Sequence, residues 1–158
     1  MRSNLGVLIV AALLAVGLSA CFVGDPPGSI GSTEPWGHNT VKPADLVAEL
    51  AHASGSDKPV VVCAAPPLFY QAGHVPGAVL HGPAASPEVI GELTAWAQRL
   101  PRSTNLVVYC GCCQMDHCPN IRPAYKALKD LGFTRVRVLF LPENFATDWA
   151  SRGYPIEK

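Results

Sequence analysis

The sequence predicts an α/β domain with a central, mostly parallel sheet flanked by helices. Two runs, PVVVCAA (Pro59–Ala65) and NLVVYC (Asn105–Cys110), are continuously apolar and β-branched, as strands covered on both faces must be. A third, RVRVLFL (Arg135–Leu141), alternates arginine with valine before a wholly apolar end. Between these runs lie segments of helical periodicity long enough for crossovers, so consecutive strands are expected to run in one direction with right-handed connections.

Each remaining element follows from local chemistry. Val41–Ser54 places Leu46, Leu50 and Ala51 at helical spacing, with Pro43 in the first turn and Gly55 at the exit. Ala78–His81 reads as a short strand. Ser86 at the cap, Pro87 at the first position and Glu88 in the first turn start a helix through SPEVIGELTAWAQRL. Ile121–Leu131 is periodic and stops at Gly132, and Glu143–Arg152 forms a closing helix ended by Gly153.

The N-terminus has a different character. From Ser3 to Phe22 the chain is uncharged, and the apolar run ends at Leu18, Ser19, Ala20 and Cys21. That pattern reads as a secretory signal over residues 1–20, and its last four residues resemble the lipobox of bacterial lipoproteins. The resemblance implies lipidation of Cys21, membrane attachment through that lipid, and an exported protein of the bacterial cell envelope. Residues 21–40 are rich in Gly, Pro, Ser and Thr and read as a tether, leaving 41–158 as the folded domain. With 12 basic and 12 acidic residues in 158, the chain has no net charge and no basic stripe for nucleic acid.

The chemistry concentrates in VVYCGCCQMDHCP, where Cys110, Cys112, Cys113 and Cys118 fall within nine positions. Cys110 ends a strand, and ligands and catalytic groups in parallel sheets gather at the C-terminal ends of strands. Cys110 and Cys113 form a Cys-x-x-Cys pair suited to thiol–disulfide exchange. Cys118 precedes a helix start, with Asn120 or nearby polar groups as cap, so amide groups and the helix dipole favour its thiolate. Soft ligands abound, with Met115 and His117 beside the cysteines, but one compact cluster lacks the two separated pairs typical of structural zinc. No cysteine has an arginine six positions later, which excludes a phosphate-cradling cysteine loop.

YQAGHVPGA (Tyr70–Ala78), the VVYC strand, Ala124–Phe133, Trp149 and GYPIE resemble, in the right order, segments of the rhodanese-like family across residues 44–157. The resemblance implies a rhodanese-like fold and a sulfurtransferase that carries sulfane sulfur as a cysteine persulfide. It needs no cofactor or metal, and its partners are a small sulfur donor and a thiol acceptor. Cys110 takes the nucleophile's place, and Cys113 and Cys118 become candidate resolving or relay thiols. Gly111, Cys112, His117, Asn120 and Arg122 become candidate substrate-binding positions.

Two departures from the family pattern stand out. The loop after Cys110 carries five extra residues, so that Asn120 takes the place of the usual arginine and Arg122 falls inside the early helix. Upstream, Cys63, Ala64 and Ala65 replace an Asp-x-Arg. Cys63 is expected in the core, and His74 in a structural role within the glycine-rich turn.

Overall fold

The computed structural model describes residues 35–158. The expected signal segment and Cys21 lie outside the described residues. Among those described, no helix is long and apolar enough to cross a membrane.

Five strands form one sheet, all neighbours parallel: β1 (Thr40–Val41), β2 (Val60–Cys63), β3 (Val79–Leu80), β4 (Leu106–Tyr109) and β5 (Val136–Leu139), in the order β1-β5-β4-β2-β3. β4 is central, with Val60–Cys63 paired along Leu106–Tyr109 on one side and β5 on the other. All four of its side chains are buried, which is why the run carries no polar residue. The helices are α1 (Pro43–His52), α2 (Pro67–Ala72), α3 (Pro87–Ala97), α4 (Ile121–Asp130) and α5 (Phe145–Asp148). α4 sends Ile121, Ala124, Tyr125 and Leu128 into the core.

The alternation in β5 has a structural use. Val136 and Val138 are buried, while Arg137 lies half-buried and holds Glu49 of α1 through paired bonds of 2.8 and 2.6 Å. A bidentate guanidinium–carboxylate pair fixes orientation as well as distance. The same guanidinium donates to Asn105 Oδ1 at 2.9 Å, tying the entrance of β4 to α1.

Two expectations need correction, and one element stands outside them. The tether was expected to run through residue 40, yet Trp36 is only 1% exposed, sits edge-on to Tyr125 and lies beneath the Arg122 guanidinium, while Thr40 pairs with Val138 in the sheet. Composition failed here because one large apolar side chain outweighs its Gly- and Pro-rich neighbours. The closing helix splits: α5 ends at Asp148, Trp149 leaves helical angles at φ −121° and ψ −66°, and a 3-10 turn follows over Ala150–Arg152. That break seats the buried Trp149, whose Nε1 donates to Pro155 O at 2.8 Å. That element, α2, has no counterpart in the periodicity reading, because six residues beginning at paired prolines offer too short a pattern.

The tail closes the fold. Glu157 and His74 exchange two backbone hydrogen bonds of 2.9 and 3.0 Å, and the Glu157 carboxylate accepts from Gly77 N at 2.6 Å. His74 is buried, stacks on Tyr70 and places Nδ1 2.9 Å from Tyr70 O, the structural role its turn suggested. Because Trp36 is so completely buried, Trp36→Ala should cost about 3 kcal/mol or more, read as a lowered midpoint in reversible denaturant unfolding. A shift no larger than that of an exposed substitution would return residues 35–40 to the tether.

Candidate active site

The site begins where β4 ends. Gly111 follows Cys110 with φ +71°, a left-handed conformation that a side chain resists, and its carbonyl accepts from Phe145 N at 2.9 Å. A methyl group there would stand 2.7 Å from Phe145 Cβ, so the turn needs glycine for space as well as angle. The reversal brings Cys112 back over Cys110, with their sulfurs 3.0 Å apart. Cys113 lies 3.5 Å from Cys112 by sulfur. The Cys-x-x-Cys spacing suggested pairing of Cys110 with Cys113; the structure places Cys112 against Cys110 instead.

The extra loop residues form a 3-10 turn, Met115–His117, anchored by Met115 N to Pro142 O at 3.1 Å with the Met115 side chain buried. This turn delivers Cys118 to the start of α4. The sulfurs of Cys110, Cys112 and Cys118 then lie within 4.8 Å of one another. Three sulfurs at that separation can close on a soft ion such as Zn²⁺ or Cu(I), provided Cys110 gives up a proton that its surroundings hold firmly.

Those surroundings make the thiols unequal. Cys118 is lowered from an ordinary thiol value to about 6, first by the neighbouring Cys110 thiol and then by the backbone amides of Asn120 and Ile121. Cys110 is pushed strongly upward by the neighbouring Cys118 and by desolvation. Burial and its contact with Cys112 raise Cys113 to about 12. The cluster titrates as a unit, and its first negative charge resides on Cys118.

Position and charge are thereby separated. Cys110, Gly111 and Cys112 line a cavity of about 410 Å³, and Cys118 does not. α2 forms another wall through Phe69, which is 47% exposed, and Phe145 and Ile156 contribute further apolar surface. Among the described residues lining it, none carries a charge.

The other expected site residues divide. Asn120 is buried but makes no helix-capping hydrogen bond; its Oδ1 accepts from Ala85 N at 2.9 Å, and its Nδ2 reaches the sulfurs of Cys110 at 3.5 Å and Cys112 at 3.8 Å. It holds sulfurs in place and does not line the cavity. Arg122 directs its guanidinium to the carbonyls of Asp116 at 2.9 Å and Cys118 at 3.5 Å, and over Trp36, away from the cavity lining. His117 is exposed, with Nδ1 2.8 Å from Asp116 Oδ1, and lies outside that lining as well. Sequence reasoning missed Phe69, Phe145 and Ile156 as site walls. Cys63, expected in the core, is buried there with its thiol raised by desolvation, and it also borders the cavity.

A parallel five-stranded sheet whose central strand opens into a cysteine loop at a helix N-terminus defines a class of cysteine-bearing α/β domains. Residues 42–140 match the rhodanese-like domain family, and the chain belongs to it. Similar solved structures include the Alr3790 protein from Anabaena sp., at 20% identity and TM-score 0.57, covering 74% of this chain and 90% of that one. The BH2092 protein from Bacillus halodurans is 20% identical with TM-score 0.56, covering 75% of each chain. A single-domain sulfurtransferase of Saccharomyces cerevisiae, RDL2, is 14% identical with TM-score 0.54, covering 74% of this chain and 95% of that one. These likenesses concern the fold. No curated protein matches the chain.

The lowered Cys118 and raised Cys110 and Cys113 make a signed prediction about stability. Between about pH 6 and the ordinary thiol range, the unfolded chain holds a proton on Cys118 that the folded chain has lost, so stability rises with pH. Above that range the folded chain retains protons on Cys110 and Cys113 that the unfolded chain has released, so stability falls. Denaturant unfolding of the reduced protein across this interval should trace that maximum, and thiolate absorbance should show a step near pH 6 that Cys118→Ser removes.

Proposed function

We propose that the protein is a sulfurtransferase that carries sulfane sulfur as a persulfide on Cys110, with Cys118 holding the thiolate charge that activates it. The observation that carries this reading is the separation of roles: Cys110 faces the cavity while Cys118, its sulfur within 4.8 Å of that of Cys110, stands just before α4 and outside the cavity lining. As a donor enters, the Cys110 sulfur bonds the outer sulfur of the donor and its proton passes to Cys118. The donor's remaining sulfur leaves and takes that proton, which restores the Cys118 thiolate. Asn120 Nδ2 helps hold Cys110 and Cys112 in register.

The cavity wall bears on the donor. Thiosulfate brings two negative charges, and desolvating them against apolar surface with no cation among the described lining residues is costly. An organic persulfide buries carbon against Phe69, Phe145 and Ile156 instead, so the apolar lining supports a persulfide donor over thiosulfate.

The test is steady-state sulfur transfer by the reduced protein with each donor. Cys110→Ser should lower kcat/KM at least about a thousandfold. Cys118→Ser should lower it about ten- to a hundredfold. Wild-type activity should rise with pH through about 6, as Cys118 loses its proton, and the acid limb of Cys118→Ser should move upward. An alkyl persulfide should exceed thiosulfate by about tenfold or more, the equivalent of one uncompensated pKa unit of charge energy. Full activity in Cys110→Ser would remove the assignment.

We also propose that the chain is exported and held at a membrane by lipid on Cys21, a reading supported by the sequence of residues 1–21. Cys21→Ala should move the protein from the membrane fraction to the soluble one, with loss of incorporated labelled fatty acid.

A further inference from the structure

Resting on that reading, we infer that the cluster contains its own acceptor: the Cys118 thiolate resolves the Cys110 persulfide, releasing sulfide and leaving a Cys110–Cys118 disulfide for an external dithiol to reduce. The geometry supplies each requirement. The two sulfurs lie within 4.8 Å of one another. Loading removes the Cys110 proton. A thiolate then stands beside the inner sulfur of a persulfide, the arrangement for exchange through attack on sulfur.

Cys112 approaches closer to Cys110, at 3.0 Å, but is the poorer resolver. It is separated from Cys110 by one residue, so a bond between them would close a very small ring across Gly111, whose left-handed angle the present turn requires. Cys118 closes a longer loop through the 3-10 turn and sits where amides of α4 favour its ionised form.

The balance is complete. A persulfide RSSH and the Cys110 thiol give the Cys110 persulfide and RSH. Attack by Cys118 on the inner sulfur forms the Cys110–Cys118 bond, breaks the sulfur–sulfur bond of the persulfide and expels HS⁻. The outer sulfur gains two electrons, and the two cysteine sulfurs lose two. A dithiol entering by the cavity, which Cys110 lines, reduces the disulfide and becomes a disulfide itself. The overall reaction converts a persulfide and a dithiol into a thiol, sulfide and an oxidised dithiol.

The experiment loads the reduced full-length protein to completion with an alkyl persulfide under anaerobic conditions, removes the donor by gel filtration, and follows sulfide and intact mass with no thiol present. Wild type should release its sulfur once as sulfide and end lighter than the reduced chain by two hydrogens, with Cys110 and Cys118 joined in the peptide map. Adding a dithiol should restore a second release. Cys118→Ser should remain heavier by one sulfur atom and release sulfide at least tenfold more slowly. A wild-type persulfide as long-lived as that of Cys118→Ser would overturn the inference while leaving the sulfur-transfer reading intact. So would a release lost in Cys112→Ser and kept in Cys118→Ser. If no variant that retains Cys110 takes up sulfur, the sulfur-transfer reading fails, and the built-in acceptor fails with it.

Discussion

Three sulfurs crowded within 4.8 Å at one strand end can hold one negative charge at modest cost and a second only at great cost. Most features of the site follow from where that charge goes. The amides of Asn120 and Ile121 draw it to Cys118, and Cys110, crowded beside that charge, keeps its proton in consequence. The arrangement depends on a rigid frame, since sulfur hydrogen bonds lose strength quickly with distance and angle. β4 supplies that frame, paired on both sides and buried along its whole length. Gly111, seated against Phe145, then fixes the turn from which Cys112 folds back.

The same loop trades ionic recognition for apolar surface. Cys63, Ala64 and Ala65 are almost wholly buried at the end of β2, where an unpaired acid or base would be costly. Arg122 spends its guanidinium on loop carbonyls and Trp36, so it pins the lengthened loop to the N-terminal segment. Burial of Trp36 is therefore tied to the cysteine loop as well as to the core. The tail acts comparably from the opposite side: Glu157 clamps the Gly73–Gly77 turn, and Ile156 beside it forms part of the cavity wall.

The sheet was legible because burial on both faces demands apolar, β-branched runs, and VVVC, LVVY and VRVL advertise that demand within a few residues. The start of α3 was legible because proline and an acidic first turn act locally, although Ser86 makes no capping hydrogen bond with its side chain. The interior of the site was less so. Whether Cys110 meets Cys112 or Cys113 depends on the sign of one backbone angle at Gly111, which residue spacing leaves open. Asn120 before a helix reads as a cap; only the approach of the Ala85 backbone diverts its oxygen and turns its amide toward sulfur. The cavity walls are drawn from α2, α5 and the tail, segments far apart in sequence with no shared pattern.

The lengthened loop gives the site its individual character. A short loop running straight from nucleophile to helix places the same sulfur at the strand end and beneath the helix amides, so one atom must be both substrate-facing and charged. Here the 3-10 turn at Met115–His117 inserts between those positions, leaving Cys110 at the cavity and giving Cys118 the amides. Dividing the roles lowers the resting reactivity of the cavity-lining sulfur, because a protonated thiol is a weak nucleophile and resists oxidation. It also leaves a second sulfur, already ionised, within reach of whatever the first one takes up. A site built from one cysteine must wait for an outside thiol, whereas this geometry places the competing nucleophile inside the fold and shields it from solvent behind Cys110 and Cys112.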